Sequence, residues 1–270
     1  MQTDSPHIVE HASGVLGGLP DAPVRAGPYV VTLTRLPTRL RLPPHFHRQA
    51  TLNVVLDGEY SETIGRGAAP TFGPATMIAK PAGTVHSNQV GTASVECLVI
   101  EVPDESLSGS DLLARRSAMI AKAGGRLRAE LARRDDITPL AVEALVLELL
   151  GELGEEAPPP GSSRRWLDRA RDLLHDEPGP RALADLAREV GRHPIYLARA
   201  FRARFGSSVG EYARCLRVER ARRLLHHRSP SLSEVAARAG YSDQSHLTRD
   251  FRRSFGQSPG SYRKLIRRVP

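Results

Sequence analysis

Of 270 residues only two are cysteine, one is tryptophan and three are methionine. Cys97 and Cys215 lie far apart in sequence. They give neither a disulfide framework nor a cysteine-rich zinc site and suit a reducing cytoplasm. Both are expected to be small buried hydrophobes, and Trp166 a core residue. No run of about 18 apolar residues occurs, which excludes a membrane-spanning helix. The richest stretch, Leu140 to Leu150, is broken by Glu143 and Glu148. The N-terminus lacks the basic-then-apolar order of a secretion signal, so a soluble cytoplasmic chain is expected, with no membrane partner. Phosphate-binding glycine loops, nucleophile elbows and paired-carboxylate spacings are also missing.

What is present is an uneven charge. Residues 161–270 hold 24 basic and 11 acidic side chains, a net of +13. The other 160 residues hold 14 basic and 19 acidic, a net of −5. A basic half joined to an acidic one is the footprint of a chain with one polyanion-binding end. In the basic half every cation but Lys264 is arginine, whose planar fork suits phosphate and guanine edges.

The first half reads as short β-branched strands at Tyr29–Leu36, Leu52–Leu56 and Ser94–Val102, separated by turn residues. Asp57-Gly58 reads as a hairpin turn and Pro81-Ala-Gly83 as a tight one. This pattern favours an antiparallel sandwich or barrel. Helical composition follows at Ser110–Ala123 and Arg126–Arg134. From Thr138-Pro139, Val142, Leu145, Val146, Leu149, Leu150 and Leu153 form one apolar stripe, a candidate surface for self-association. The proline-rich stretch 156–163 is a semi-rigid linker.

Beyond it the chain is helical and repeats with an offset of 50. Nine of the sixteen positions from Leu197 to Tyr212 are identical to those from Leu247 to Tyr262. Each copy reads as helix, glycine-containing turn, helix: Leu183–Glu189 then a helix from Pro194, and Leu232–Arg238 then a helix capped by Ser242 or Asp243. On the second helices one face is apolar. The other shows Ile195, Ala198, Arg199 and Arg202 in copy one, and Gln244, Ser245, Thr248 and Arg249 in copy two. Arginine can fork onto guanine, glutamine onto adenine, and small methyls can meet the thymine methyl.

The strings Leu186–Val190, Tyr196–Gly206, Arg217–Leu225 and above all Ala239–Pro259 resemble the DNA-binding domain of the AraC/XylS family of bacterial transcription regulators. The resemblance implies two helix-turn-helix subdomains, joined by a long helix from about Val209 to His227, that enter successive major grooves of double-stranded DNA. Carried over, the base-reading positions are Ile195, Ala198 and Arg199, then Gln244, Ser245, Thr248 and Arg249. His193-Pro194 departs from the usual polar cap and implies a weaker start to the copy-one helix.

In the first half, Pro43-Pro-His-Phe-His47 and Lys80–His86 stand in the order of the two motifs of a cupin barrel. His45 and His47 share a face if the segment is a strand, and His86 arriving from a later strand could complete a three-nitrogen site for Zn, Ni, Fe or Mn. The carboxylate usual in the first motif would fall near Thr51, a hydroxyl here. Three readings stay open: a metal site, a metal-free ligand pocket including Thr51 and Asn88, or inherited residues without a role.

The expected architecture is therefore two-domain: an N-terminal antiparallel cupin-like β-barrel with following helices, and a C-terminal all-α domain with two helix-turn-helix subdomains. Its parts are an arm (1–27), the sensor barrel (28–103), a helical segment with the candidate dimer surface (104–155), the linker (156–163) and the DNA-binding domain (164–270). The expected function is effector-controlled, sequence-specific regulation by a homodimer, working with RNA polymerase if it activates. The alternative is a cupin-type metal-dependent oxygenase or isomerase fused to a DNA-binding tail.

Overall fold

A computed structural model describes residues 9–11, 19–64, 69–107, 113–153, 165–176, 181–226 and 230–266. The expected linker 156–163 and most of the arm lie outside the described residues. The chain divides into two units, Met1–Arg133 with Leu145–Ala157, and Arg134–Ala144 with Pro158–Pro270.

The first unit is a pair of sheets. Its strands are β1 (Val9–His11), β2 (Leu19–Pro20), β3 (Val24–Ala26), β4 (Tyr29–Leu36), β5 (Arg41–His47) and β6 (Ala50–Asp57). They continue as β7 (Tyr60–Ile64), β8 (Thr71–Phe72), β9 (Thr76–Lys80), β10 (His86–Val90), β11 (Val95–Val102) and β12 (Leu113–Arg116). One sheet runs β1-β5-β10-β7-β8 and the other β12-β9-β6-β11-β4-β2, with β3 also on β4. Among the described residues no strand ladder closes the two sheets into a barrel. They face each other across an interior that includes Tyr60 and Phe72 from one sheet and Val55, Ile78 and Val99 from the other.

The helix α1 (Ala118–Arg133) covers the outer face of the second sheet. A Cβ on Gly124 would stand 2.8 Å from Leu56 Cδ2 and 3.2 Å from Val54 Cγ1, so the glycine lets helix and strand approach.

Several expectations are corrected here. Residues 113–116, expected as helix, pair with β9 as an edge strand, and one continuous helix replaces the expected pair. Part of the expected arm is sheet, since β2 and β3 both pair with β4. Asp57-Gly58 closes no hairpin: β6 and β7 belong to different sheets, so this turn is a corner between layers. In α2 (Thr138–Gly151) every residue from Leu140 to Leu150 is buried. Of the stripe residues, Val142, Leu145, Val146, Leu149 and Leu150 are at most 5% exposed and Leu153 is half-buried.

The second unit comprises the start of α2 with α3 (Arg165–Asp176), α4 (Leu183–Glu189), α5 (Pro194–Phe205), α6 (Val209–Leu225), α7 (Leu232–Ala239), α8 (Gln244–Phe255) and α9 (Pro259–Ile266). The sequence repeat is a repeat of packing. Phe201 lies 4.5 Å from Phe205 and 5.4 Å from Tyr212, ring centre to ring centre; Phe251 lies 4.6 Å from Phe255 and 5.4 Å from Tyr262. Ser208 and Ser231 open α6 and α7 with reciprocal capping boxes to Glu211 and Glu234. No described helix is long and apolar enough to cross a membrane.

Candidate nucleic-acid interface and buried histidine site

Copy two presents one face of α8 outward. Asp243 caps α8 by accepting from the His246 amide at 2.7 Å, and that bond, foremost among the causes, holds its carboxyl below the ordinary value. The apolar side, Leu247 and Phe251, is fully buried. Gln244, Ser245 and Arg249 are exposed on the opposite face, with Thr248 half-buried beside them and donating to the Gln244 carbonyl at 2.8 Å. Arg252, one turn beyond Thr248, is exposed on the same face and was not among the expected contacts. Its signal in the sequence is the repeat itself, which aligns it with Arg202.

Copy one is different in two of its expected positions. Ala198 is 1% exposed, so its methyl is part of the core and reaches no base edge. Arg202, with 11% of its side chain exposed, pairs with Glu211 at 3.4 Å and is committed to the protein. Both are withdrawn as base contacts. Ile195 and Arg199 remain half-buried on the outer side of α5. The start of α5 is as weak as the sequence implied: His193 occupies the cap without a side-chain hydrogen bond, and Pro194 follows. Arg192 sits 5.4 Å over the Trp166 ring, which is itself 9% exposed.

In the first unit the three histidines do converge. His45 and His86 oppose each other on paired strands β5 and β10. Ring centres of His45, His47 and His86 stand 4.2 to 5.4 Å apart, and one candidate ligand atom from each lies within 4.8 Å of the others. Nδ1 of His45 bonds the Pro43 carbonyl and Nδ1 of His86 the Thr84 carbonyl, both at 2.8 Å. A carbonyl only accepts, so each Nδ1 carries a proton, and the neutral form of each ring presents its lone pair at Nε2. Thr84 belongs to the tight turn after Pro81, and the Gly83 amide donates to the His47 carbonyl at 2.9 Å, so the turn ties both motifs together.

A carboxylate is present, but from an unexpected strand. Glu62 on β7 is fully buried, with Oε1 3.8 Å from His86 Nε2. Lys80 Nζ donates to Glu62 Oε1 at 2.8 Å and to His86 Nε2 at 3.3 Å. Burial, with the Glu62 charge beside it, raises the Tyr60 hydroxyl well above its ordinary value, so it stays protonated and donates to Glu62 at 3.1 Å. The inward alternation of Tyr60 and Glu62 was the available signal for this group. Thr51 is buried on β6 opposite Lys80, and Asn88 is buried on β10 opposite Glu62. Cys97 is also enclosed, and burial pushes its thiol up to about 12, whereas Cys215 is exposed on α6, against expectation.

A family model described as a helix-turn-helix domain matches residues 186–265. No curated protein matches the chain. Among solved structures, the DNA-binding domain of AdpA, a global transcriptional factor in complex with a target DNA, is 31% identical over 38% of this chain and 90% of its own, with a TM-score of 0.34. A transcriptional regulator with an AraC-type DNA-binding domain from Chromobacterium violaceum is 27% identical over 40% of this chain and 96% of its own, TM-score 0.37. ToxT from Vibrio cholerae strain SCE256, with bound unsaturated fatty acid, is 12% identical over 89% and 96%, TM-score 0.37. The helix-turn-helix match over residues 186–265 bears out the resemblance read from the sequence: this segment is the DNA-binding domain of an AraC/XylS-type transcription regulator.

Proposed function

We propose that this regulator reads a specific duplex mainly through copy two and is controlled by an effector at the buried histidine site. The observation that carries the first part is the exposed row Gln244, Ser245 and Arg249 on α8, whose side chains match base edges in the major groove. Ile195 and Arg199 of copy one add a second, weaker contact in a neighbouring groove. Selection of bound duplexes from a random pool tests it: a reproducible sequence supports specific reading, and equal binding to all duplexes at fixed salt rejects it.

The sensor reading rests on the convergence of His45, His47 and His86. With both described Nδ1 protons on carbonyls, the inward nitrogens suit a divalent ion such as Zn, Ni, Fe or Mn, and Glu62 stands near as an oxygen donor. Bound there, the ion would link β5 to β10 and bias one conformation of the sensor over another. A second reading follows from Lys80: its buried ammonium beside the imidazoles suits an acidic small molecule in a pocket shared with Thr51 and Asn88. The protein is a cytoplasmic regulator, not an enzyme. It works as a homodimer, with RNA polymerase as partner if it activates.

A further inference from the structure

The helix-turn-helix match begins at residue 186, yet the helical unit also includes residues 134–144. This segment is held by directional charge pairs. Asp135 accepts from Arg214 at 3.0 and 2.9 Å, and Asp136 accepts from Arg217 twice at 2.9 Å. Both arginines belong to α6, the helix that joins the two copies, and Arg217 is wholly buried. Arg217 also donates to the Gly240 carbonyl and lies 4.4 Å over the Tyr241 ring, which together form the turn of copy two. Asp136 stands 3.6 Å from His246 Nδ1 in the first turn of α8.

The same segment reaches copy one. Glu143 accepts from the amides of Leu183 and Ala184 at 2.9 and 3.3 Å, capping α4, whose own cap residue Ala182 offers no side-chain bond. Between these ends a Cβ on Gly210 would lie 2.5 Å from Ala141 Cα, so only glycine permits the approach of α6 to α2.

We infer that Asp135, Asp136 and Glu143 are positioning residues for DNA recognition, lying outside the helix-turn-helix match. A bidentate guanidinium–carboxylate pair is directional, and a buried arginine keeps its place only while its counter-charge does. Asp136 therefore fixes three things at once: α6, the turn after α7 and the first turn of α8, where Gln244 and Ser245 adjoin His246. The counterpart of His246 in copy one is Tyr196, which stacks on Trp166, so the arrangement belongs to copy two alone. This inference rests on α8 being the base-reading helix.

The test uses the full chain and a duplex that the wild-type protein selects from a random pool, compared at fixed salt with a scrambled duplex. Asp136→Asn is expected to lower the ratio of the two affinities by about tenfold, at the base positions that Arg249→Ala also affects. Asp136→Glu, which keeps the charge, should restore part of it. A ratio within about twofold of wild type for Asp136→Asn, while Arg249→Ala lowers it, overturns the inference and leaves the base-reading assignment standing. If neither variant moves the ratio, both fall. Should Asp136→Asn unfold the chain, Asp136→Leu combined with Arg217→Met removes both charges together. Lost preference in that folded double variant supports the inference, and retained preference overturns it.

Discussion

Arg202 and Glu211 form an ion pair at 3.4 Å, and fifty positions along, their counterparts are Arg252 and Ser261. The exchange of one carboxylate for a hydroxyl separates two otherwise parallel helices: the copy-one arginine is drawn onto α6, and the copy-two arginine is exposed. With Ala198 enclosed and Thr248 half-open at another matched pair, the duplication has kept its core and diverged on its outer face.

That divergence predicts distinct phenotypes for three arginines. Arg249→Ala should cost about 1–3 kcal/mol and relax preference at one base position. Arg252→Ala should weaken all duplexes alike and lower the salt dependence by about one charge. Arg202→Ala should leave sequence preference unchanged. Affinity measured on a set of single-base variants of the selected duplex, at several salt concentrations, separates the three.

Copy one starts with a cap that makes no side-chain bond. His193→Ser supplies an acceptor for the first-turn amides and should raise stability by about 0.5–1 kcal/mol. Denaturant unfolding of the two proteins reads the difference, and an unchanged or lower midpoint would contradict it.

Metal content tests the histidine site directly. Protein purified without an affinity tag or chelator should carry close to one equivalent of a divalent transition metal, measured by elemental analysis. His45→Ala and His86→Ala should each abolish it, because about three nitrogen donors are needed for a stable site. Metal far below stoichiometric in the wild type rejects the ion and favours the acidic ligand.

The thiols should behave oppositely. Cys215 is exposed and should react with a thiol reagent in the native state, while Cys97, buried and with its pKa raised to about 12, should react only on unfolding. Mass spectrometry after brief alkylation identifies which is modified.

The acidic pairs give a pH prediction. Burial alone would raise the Asp135 carboxyl, but its Arg214 hydrogen bond and charge outweigh that and hold it below its ordinary value. Its stabilising contribution is therefore present above the ordinary aspartate pKa of about 3.9 and lost as pH falls through the lower folded value. Glu143 runs the other way. Burial raises its pKa despite the Leu183 and Ala184 amides, so its contribution is present below the ordinary glutamate value of about 4.3 and lost as pH rises through the folded one. Asp135→Asn should cost about 3–5 kcal/mol at neutral pH, since both side chains of its pair are 7% exposed, and should flatten the acid limb of a stability-versus-pH curve.

Much of the helical unit was legible because its signals are local. Pro194 at a first turn, Asp243 at a cap, and Gly240 and Gly256 at helix ends each act within a few residues. The strands at Tyr29–Leu36 and Val95–Val102 were equally plain from their β-branched runs. Leu113–Arg116 was not, since its pairing with β9 is a long-range contact that composition does not record. The same limit hid Glu62, whose partners His86 and Lys80 come from other strands.

Taken alone, the residue order established a basic, duplicated helix-turn-helix tail and three histidines in two motifs, because periodicity, capping chemistry and repeats are written in neighbouring letters. Only the folded chain decided that Ala198 and Arg202 face inward, that most of the apolar stripe on α2 is buried, and that Asp135 and Asp136 hold α6. Burial and charge pairing depend on which distant side chains arrive beside one another, and no local pattern encodes that.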